Sequence, residues 1–351
     1  MAFAYSAINP HERDDFVRKD SSSTLFQNPS RTTKSSRNRL TLPMNLPCVE
    51  TGDQKHLPLH LQHSGVPPLK CQGIKTRLLS FIFSQIRWTP RSSSVWIEPF
   101  LGSGVVAFNL APERAILADS NEHIIRFYQA IQRGEMGRES VRAFLTEEGG
   151  KLAEIGEAYY YQVRQRFNAE ASPYDFLFLN RACFNGLMRF NSRGEFNVPF
   201  CRKPQRFSRS YITKIANQVA WVAGQMVGKS WEFRATSWQS VLSCARAQDF
   251  VYLDPPYIGR HTDYYNGWAL SEAEQLALVS QSLPCGFAVS MWLGNQYRDN
   301  SHVHAWMPAE MRTCQHFYHV GSREVWRGKM VEALLIKPGF AVEETTNPAP
   351  L

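Results

Sequence analysis

The sequence predicts an α/β protein built on a Rossmann-like sheet with helices on both faces, interrupted by a helix-rich insert that carries a β-hairpin. Three observations lead there. Short apolar runs, Val95-Trp96-Ile97, Ala115-Ile116-Leu117-Ala118 and Phe250-Val251-Tyr252-Leu253, each close on an acid: Glu98, Asp119 and Asp254. Buried strands of open α/β sheets end this way where the sheet meets its ligand. A glycine loop, Phe100-Leu101-Gly102-Ser103-Gly104, follows the first run. Stretches of helical period separate the strands, giving the order strand, glycine loop, helix, strand, acid, helix.

Residues 1–65 differ from the rest. Ser21-Ser22-Ser23, Ser35-Ser36 and scattered prolines come with little apolar periodicity, which reads as a disordered extension. From Ser21 to Val49 there is no acid, as in a transit peptide, but Glu12, Asp14, Asp15 and Asp20 precede it and no apolar secretory core is present. The ordered chain is expected from about Val66. Thr76 to Ile86 is apolar at helical spacing, and Val105 to Leu110 starts a helix after the glycine loop. Asn121 to Gln132 is a further helix, and residues 135–245 are helix-rich, with Asn191-Ser192-Arg193-Gly194 as the tip of a hairpin. The Phe250 run resumes the sheet. Ser271 to Leu283 is a helix with Ser271 as N-cap and Glu272 and Glu274 in its first turn. Phe287 to Ser290 and Ala333 to Ile336 complete the strands. Residues 66–134 and 246–340 thus form one domain, 135–245 an insert, and 341–351 a flexible tail.

Composition narrows the partner. The 351 residues carry 39 Lys and Arg against 31 Asp and Glu, a net charge of +8, and 43% are hydrophobic. That is ample for a core and favours an anionic partner, nucleic acid first. The excess is concentrated between Arg181 and Lys214, where Arg189, Arg193, Arg202, Lys203, Arg206 and Arg209 are opposed by Glu195 alone. Phe184, Phe190, Phe196, Phe200, Phe207 and Tyr211 are interleaved. Cations suit phosphates and aromatic rings suit stacking or wedging; a solvated basic face over a local core would look the same. The seven cysteines show no Cys-x-x-Cys and no zinc spacing, so reduced thiols, no metal and a cytoplasmic site of action are expected. No run approaches the roughly 18 apolar residues of a membrane span.

Asp254-Pro255-Pro256-Tyr257 carries the chemistry. The N6 of adenine is a poor nucleophile because its lone pair is delocalised into the ring. Two acceptors set against its N–H bonds would localise that pair. An ionised Asp254 only accepts, and the Pro255 carbonyl is aimed by two prolines that fix the backbone. Tyr257 offers a ring for a base to stack on. A base inside a duplex must be flipped out to reach such a pocket. The plainer alternative is a proline stop after a buried strand, with Asp254 as a turn residue. In the glycine loop, Gly102 and Gly104 let backbone approach a ligand, and Asp119 stands where an acid binds ribose hydroxyls. A plain turn and a helix cap at Asp119 remain open. There is no Walker lysine and no third glycine, so an adenosyl ligand without pyrophosphate fits better than a dinucleotide.

Six runs in order resemble the Dam-like, D12-class N6-adenine DNA methyltransferases: Glu98 to Gly104, Leu117 to Asn121, Asn180 to Leu187, Arg193 to Phe200, Asp254 to Tyr257 and Glu332 to Pro338. The resemblance implies an S-adenosyl-L-methionine (AdoMet)-dependent methyltransferase fold, with 66–134 and 246–340 as the AdoMet-binding catalytic domain and 135–245 as the target-recognition insert. It implies donor-binding roles for Cys71, Lys75, Phe100, Gly102, Gly104, Asp119 and Asp254, and catalytic roles for Asp254, Pro255 and Tyr257. Cys71 and Ile74 stand where the family has tryptophan and glycine, so Cys71 lines the site as a small hydrophobe. Asn185 and Leu187 fall on a loop that enters DNA. Arg189 falls where an arginine reads guanine in GATC-specific relatives, and Arg193 and Asn197 lie on a hairpin that grips DNA. His261 to Trp268 departs from the Dam pattern.

The activity expected from this resemblance is methyl transfer to N6 of a flipped adenine in a short duplex site, GATC favoured. Cytosine N4, an RNA adenine, or a non-catalytic DNA-binding relative are the alternatives. The acid that opens the motif favours adenine over cytosine N4. Expected partners are double-stranded DNA and a cognate restriction endonuclease sharing the site, with the chain acting as a monomer on the bacterial nucleoid.

Overall fold

The computed structural model describes residues 64–257, 268–295, 298–318 and 328–343. The expected extension, apart from its last two residues, lies outside these, as do residues 261–267 and 344–351. Parallel strands β1 (Trp96–Glu98), β2 (Arg114–Asp119), β3 (Ser230–Ala235), β4 (Phe250–Leu253) and β5 (Gly286–Asn295) are joined by β7 (Glu310–Tyr318) and β8 (Gly328–Ile336). The order is β3-β2-β1-β4-β5-β8-β7, and a two-residue β6 (Arg298–Asp299) pairs with β5. β8 runs antiparallel to both neighbours. The chain turns one way from β1 to β2 and the other way from β4 to β5, so the crevice at the carboxyl ends of β1 and β4 is the switch point where open α/β sheets hold ligands.

Strand alternation divides the core in two. Trp96, Ala115, Leu117, Phe250, Tyr252, Ala288, Leu334 and Ile336 belong to one cluster. It is covered by α1 (Leu79–Gln85), α2 (Val105–Leu110) and α3 (Glu122–Gln132), and extends into the insert helices α4 (Arg138–Ile155), α5 (Glu157–Glu170), α6 (Pro173–Ala182) and α7 (Arg209–Met226). Ile97, Ala118, Val251, Leu253, Phe287, Val289, Ala333 and Leu335 face the other way, onto α8 (Trp238–Leu242) and α9 (Leu270–Gln281). β4 is buried at every position, as a central parallel strand covered on both sides must be. Asn121 caps α3 by accepting from the His123 N–H at 3.0 Å, and Ser208 caps α7. Among the described residues no helix is long and apolar enough to cross a membrane.

The structure corrects several expectations. The sheet resumes at β3, inside 135–245, and not at the Phe250 run. β3 alternates exposed and buried residues as an edge strand, a weaker sequence signal than a continuous apolar run. β7 was also missed, since polar Arg312, Thr313 and Gln315 interrupt it. Helix α9 begins at Leu270 with Ala269 at its N-cap and no side-chain cap bond, so Ser271 lies inside its first turn. The tail starts later than 341: Ala341 is buried and bridges Ile86, and the Val342 N–H reaches the Gln85 carbonyl at 2.9 Å. A turn with Gly339 at φ +86° folds the chain back to allow this.

In the insert, Arg166 joins α4 to α6. Its Nη2 donates to Glu148 at 2.7 Å and its Nε to Asp175 at 2.8 Å, and both acids are almost fully buried. Glu148 also accepts from Lys151 at 2.9 Å and Tyr159 at 2.8 Å, so removing Arg166 strands Asp175 above all in a poorly solvated place. Arg166→Ala is therefore expected to lower stability by about 3 kcal/mol, read as a reduced urea midpoint, whereas Arg142→Ala at the exposed Glu139 pair should change it by less than about 1 kcal/mol.

Candidate active site

Lys75 and Asp254 form the centre of the crevice. A turn at Gly73, φ +73°, brings Lys75 back so that its Nζ donates to the Gly73 carbonyl at 3.0 Å. The same ammonium reaches both oxygens of Asp254, at 2.7 and 2.9 Å. Lys75 is 2% exposed and Asp254 26%, so the carboxylate edge stays open. Tyr257 places its ring 4.9 Å from the Lys75 ammonium, a cation–π contact. Its hydroxyl donates to Glu332 Oε2 at 3.1 Å. Behind the motif is a cavity of about 20 Å3 lined by Pro255, Pro256, Tyr257, Trp268, Met291 and His302 among others. That volume is on the scale of a single water.

The glycine loop meets this centre. Gly102 has φ +50° and a Cβ there would lie 3.3 Å from Cys71 Sγ. Its N–H donates to Asp119 Oδ2 at 2.9 Å, and the Asn121 N–H donates to Oδ1 at 2.8 Å. Each oxygen keeps a lone pair for a further donor. Gly104 serves the helix instead. At φ +68° it starts α2, and a Cβ would meet the Phe108 ring at 2.3 Å. Phe100 packs edge-on to Trp268 at 5.5 Å. Cys71, Lys75, Gly102, Asp119 and Asp254 are thus brought together in one crevice.

Burial shapes the electrostatics. Desolvation pushes the Glu98 carboxyl up to about 8, against a Trp96 indole hydrogen bond of 2.7 Å that pulls it down; the Asp254 charge adds to the rise. Asp119 is pushed up to about 6 by burial, opposed by its two backbone N–H bonds. Asp254 is raised by burial and opposed by Lys75, with Glu332 adding to the rise. Burial pushes the Cys71 thiol up to about 12, with Asp119 and Asp254 adding to it, so it stays a neutral wall of the crevice.

The DNA-reading candidates sit on a separate loop and hairpin. Asn185, at φ 54°, and Phe184 project outward, and Phe184 is 51% exposed. Phe190, Phe196, Phe200 and Phe207 are buried instead and form the insert core, which settles their part of the aromatic pattern as packing. The hairpin is narrow, with single bridges at Phe190–Phe196 and Cys183–Phe200. Asn168 of α5 pins it through both the N–H and the carbonyl of Phe196. Arg189 Nε donates to Asn197 Oδ1 at 2.8 Å, so these two candidates are partners across the hairpin. Arg193 is 77% exposed beside Glu195, and Leu187 is half-buried.

Two residues that sequence reasoning left without a role tie these parts together. Asn180, fully buried, accepts from the Lys70 N–H at 2.8 Å and donates to the Lys70 carbonyl at 2.9 Å and to the Gly186 carbonyl at 3.4 Å. It joins the Cys71 segment to the outward loop. Glu332 holds Tyr257. A polar residue inside an apolar run, Phe178-Leu179-Asn180 or Val331-Glu332-Ala333, was the available signal.

Residues 72–321 match the family described as D12 class N6 adenine-specific DNA methyltransferase. The chain is similar to the DNA adenine methylase of Haemophilus influenzae, at 30% identity over 241 residues, covering 65% of this chain and 79% of the relative. It is 33% identical over 227 residues to the DNA adenine methylase of Escherichia coli K12, covering 61% and 75%. Type II methyltransferase M.MjaIII of Methanocaldococcus jannaschii is 30% identical over 208 residues, covering 54% and 68%.

A carboxyl whose folded value exceeds its ordinary one favours the fold while protonated. The Glu98 contribution is therefore fully present below 4.5 and is lost as pH rises towards about 8. Glu98→Gln keeps a neutral acceptor for the Trp96 indole. Its melting temperature relative to the parent protein is expected to climb steadily between pH 5 and pH 8; a difference independent of pH over that span would show that Glu98 is not held protonated.

Proposed function

Because the chain belongs to the D12 class of N6 adenine-specific DNA methyltransferases, we propose that it methylates an adenine swung out of a short duplex site, GATC being the favoured one. The observation that carries this is Asp254 at the switch point, held by Lys75 with an open edge beside the Tyr257 ring. The Asp254 carboxylate and the Pro255 carbonyl accept the two N6 hydrogens and localise the nitrogen lone pair, and Tyr257 stacks the ring. The Lys75 ammonium opposes the desolvation of the Asp254 carboxylate. Burial in turn raises its proton affinity, which suits it to take the proton that N6 must shed.

The crevice fits AdoMet. Gly102 leaves room where a side chain would crowd Cys71, and Asp119 has lone pairs for ribose hydroxyls. Cys71, Lys75, Phe100, Gly102, Asp119 and Asp254 would hold it, with Gly104 setting the loop backbone. When bound, it supplies an electrophilic methyl group on a sulfonium. This chain's contribution is alignment and fixed charge, without a covalent enzyme intermediate.

The insert reads DNA in this proposal. Phe184 and Asn185 at the outward loop, with Leu187 behind them, wedge the duplex where the base leaves it. Arg189, set by Asn197, reads guanine, the basis for favouring GATC. Arg193 meets phosphate. The protein acts as a monomer in the bacterial cytoplasm. A restriction endonuclease sharing the site is the proposed further partner, supported by the Type II name of one relative.

Labelled AdoMet with unmethylated duplex DNA should yield N6-methyladenine on nucleoside analysis, and methylome sequencing in a methylation-deficient host should report GATC. Label found as N4-methylcytosine, or on RNA alone, would rule the proposal out. Both Asp254→Ala and Asp254→Asn remove the counter-charge of Lys75, but Asn keeps an oxygen that can accept from its ammonium, so Asp254→Asn is the cleaner variant. It should lower the single-turnover rate by about 100-fold or more while the protein stays folded; a rate near that of the parent removes Asp254 from its role.

A further inference from the structure

Glu332 is the single acid in the apolar run Val331–Ile336 and is 2% exposed. Burying a carboxylate costs several kcal/mol unless it is well partnered, and a strand at this place in a sheet is built more simply from apolar residues. Register sets Glu332 opposite Trp292 of β5 and Cys314 of β7. Alternation puts it on the sheet face of Leu334 and Ile336. Tyr252 is on that face, with its hydroxyl 2.7 Å from Ser290 Oγ, and Asp254 follows two residues later along the chain. Glu332 thus looks onto the catalytic crevice from the far strand.

From there it reaches Tyr257. The two prolines fix the backbone before Tyr257, but they leave its side-chain torsions free. The 3.1 Å bond from the Tyr257 hydroxyl to Glu332 Oε2 fixes the far end of the ring. The near face is set by the Lys75 ammonium at 4.9 Å, and Lys75 is itself clasped to Asp254. Glu332, Tyr257, Lys75 and Asp254 form one continuous chain of contacts from β8 to the end of β4.

We infer that Glu332 is a positioning residue for methyl transfer: through the Tyr257 hydroxyl it holds the ring on which the target adenine stacks. This rests on the reading of Tyr257 given above. Glu332 touches neither the base nor the donor. It acts by restricting one side chain to the orientation that a stacked base needs, so that orientation is not sought anew in each turnover.

The test is a double-mutant cycle on the full-length protein, using Tyr257→Phe, Glu332→Ala and their combination, with Glu332→Gln as the conservative variant. Single-turnover methylation of duplex DNA is followed with labelled AdoMet. Each single change is expected to slow the step by about tenfold, the scale of a hydrogen-bonded couple, and the double variant to be no slower than about twice that. Donor affinity should stay within about twofold of the parent, since only the stacked ring is disturbed. Glu332→Gln, whose amide oxygen accepts the same bond, should recover most of the rate. Losses that multiply in the double variant, a parental rate in Glu332→Ala, or a Gln variant as slow as the Ala variant would each overturn the inference.

A purely structural acid would lower the melting temperature of Glu332→Ala and leave the rate of the folded enzyme alone. If Glu332→Ala does not fold, the Gln variant and Tyr257→Phe are read by 19F NMR of protein carrying 3-fluorotyrosine. The Tyr257 resonance, identified by its loss in Tyr257→Phe, should move in Glu332→Gln; an unmoved resonance refutes the contact. That arm decides the role of Glu332 at Tyr257 even if the parent protein methylates no DNA, an outcome that would count against the proposed function alone.

Discussion

The ion pair between Lys75 and Asp254 joins residues 179 positions apart. It ties the first turn of the described chain to the end of its central strand. A buried ammonium clasped to a carboxylate is a demanding arrangement, since losing either member leaves a charge in a poorly solvated place at a cost of about 3–5 kcal/mol. Much else is placed by it. Tyr257 rests on the ammonium, Cys71 stands four residues before it against the glycine loop, and Lys70 is bonded through Asn180 to the loop that carries Phe184. The short segment from Lys70 to Lys75 is therefore common to the glycine loop, the Asp-Pro-Pro-Tyr motif and the outward loop that carries Phe184.

The same crevice gathers several acids near Asp254. Glu98, Asp119, Asp254 and Glu332 approach the carboxyl ends of the strands. Desolvation raises Glu98, Asp119 and Asp254 together. The consequences differ because the partners differ. Glu98 is bonded to an indole N–H, a neutral donor, and burial pushes its carboxyl up to about 8. Asp254 has an ammonium on both oxygens and remains the acceptor. Holding acceptors rigid in a water-poor site before the substrate arrives is how such centres stabilise charge that develops during reaction.

The insert shows why charge and aromatic content must be separated. Its phenylalanines were candidates for stacking on bases, yet most of them form the core that makes the hairpin stand. Phe167 of α5 packs on Phe176 and Phe196, and Asn168 holds the Phe196 backbone. What remains exposed is Phe184 and Asn185 on the loop, Arg193 at the hairpin tip, and the basic side chains of Arg202, Lys203, Arg209 and Lys214. The phenylalanines make the interior, and the cations stay outside it, where they would suit phosphates if the insert meets DNA as proposed.

By itself the sequence determined the α/β class and the order of the site motifs, because each of these is local. Apolar runs ending in acids mark strands at a ligand edge, and a glycine loop or an Asp-Pro-Pro-Tyr motif carries its geometry within a few residues. The six ordered runs then made the family legible as a resemblance. Only the tertiary structure decided which aromatic residues are core, that the sheet takes in β3 and β7, that Asn180 links the Lys70 segment to the outward loop at Gly186, and that Glu332 reaches Tyr257. These depend on pairings between distant segments. An edge strand such as β3 or an interrupted one such as β7 leaves a faint local pattern. A buried asparagine or glutamate in an apolar run announces that a polar partner exists, but only the packed fold brings that partner within bonding distance.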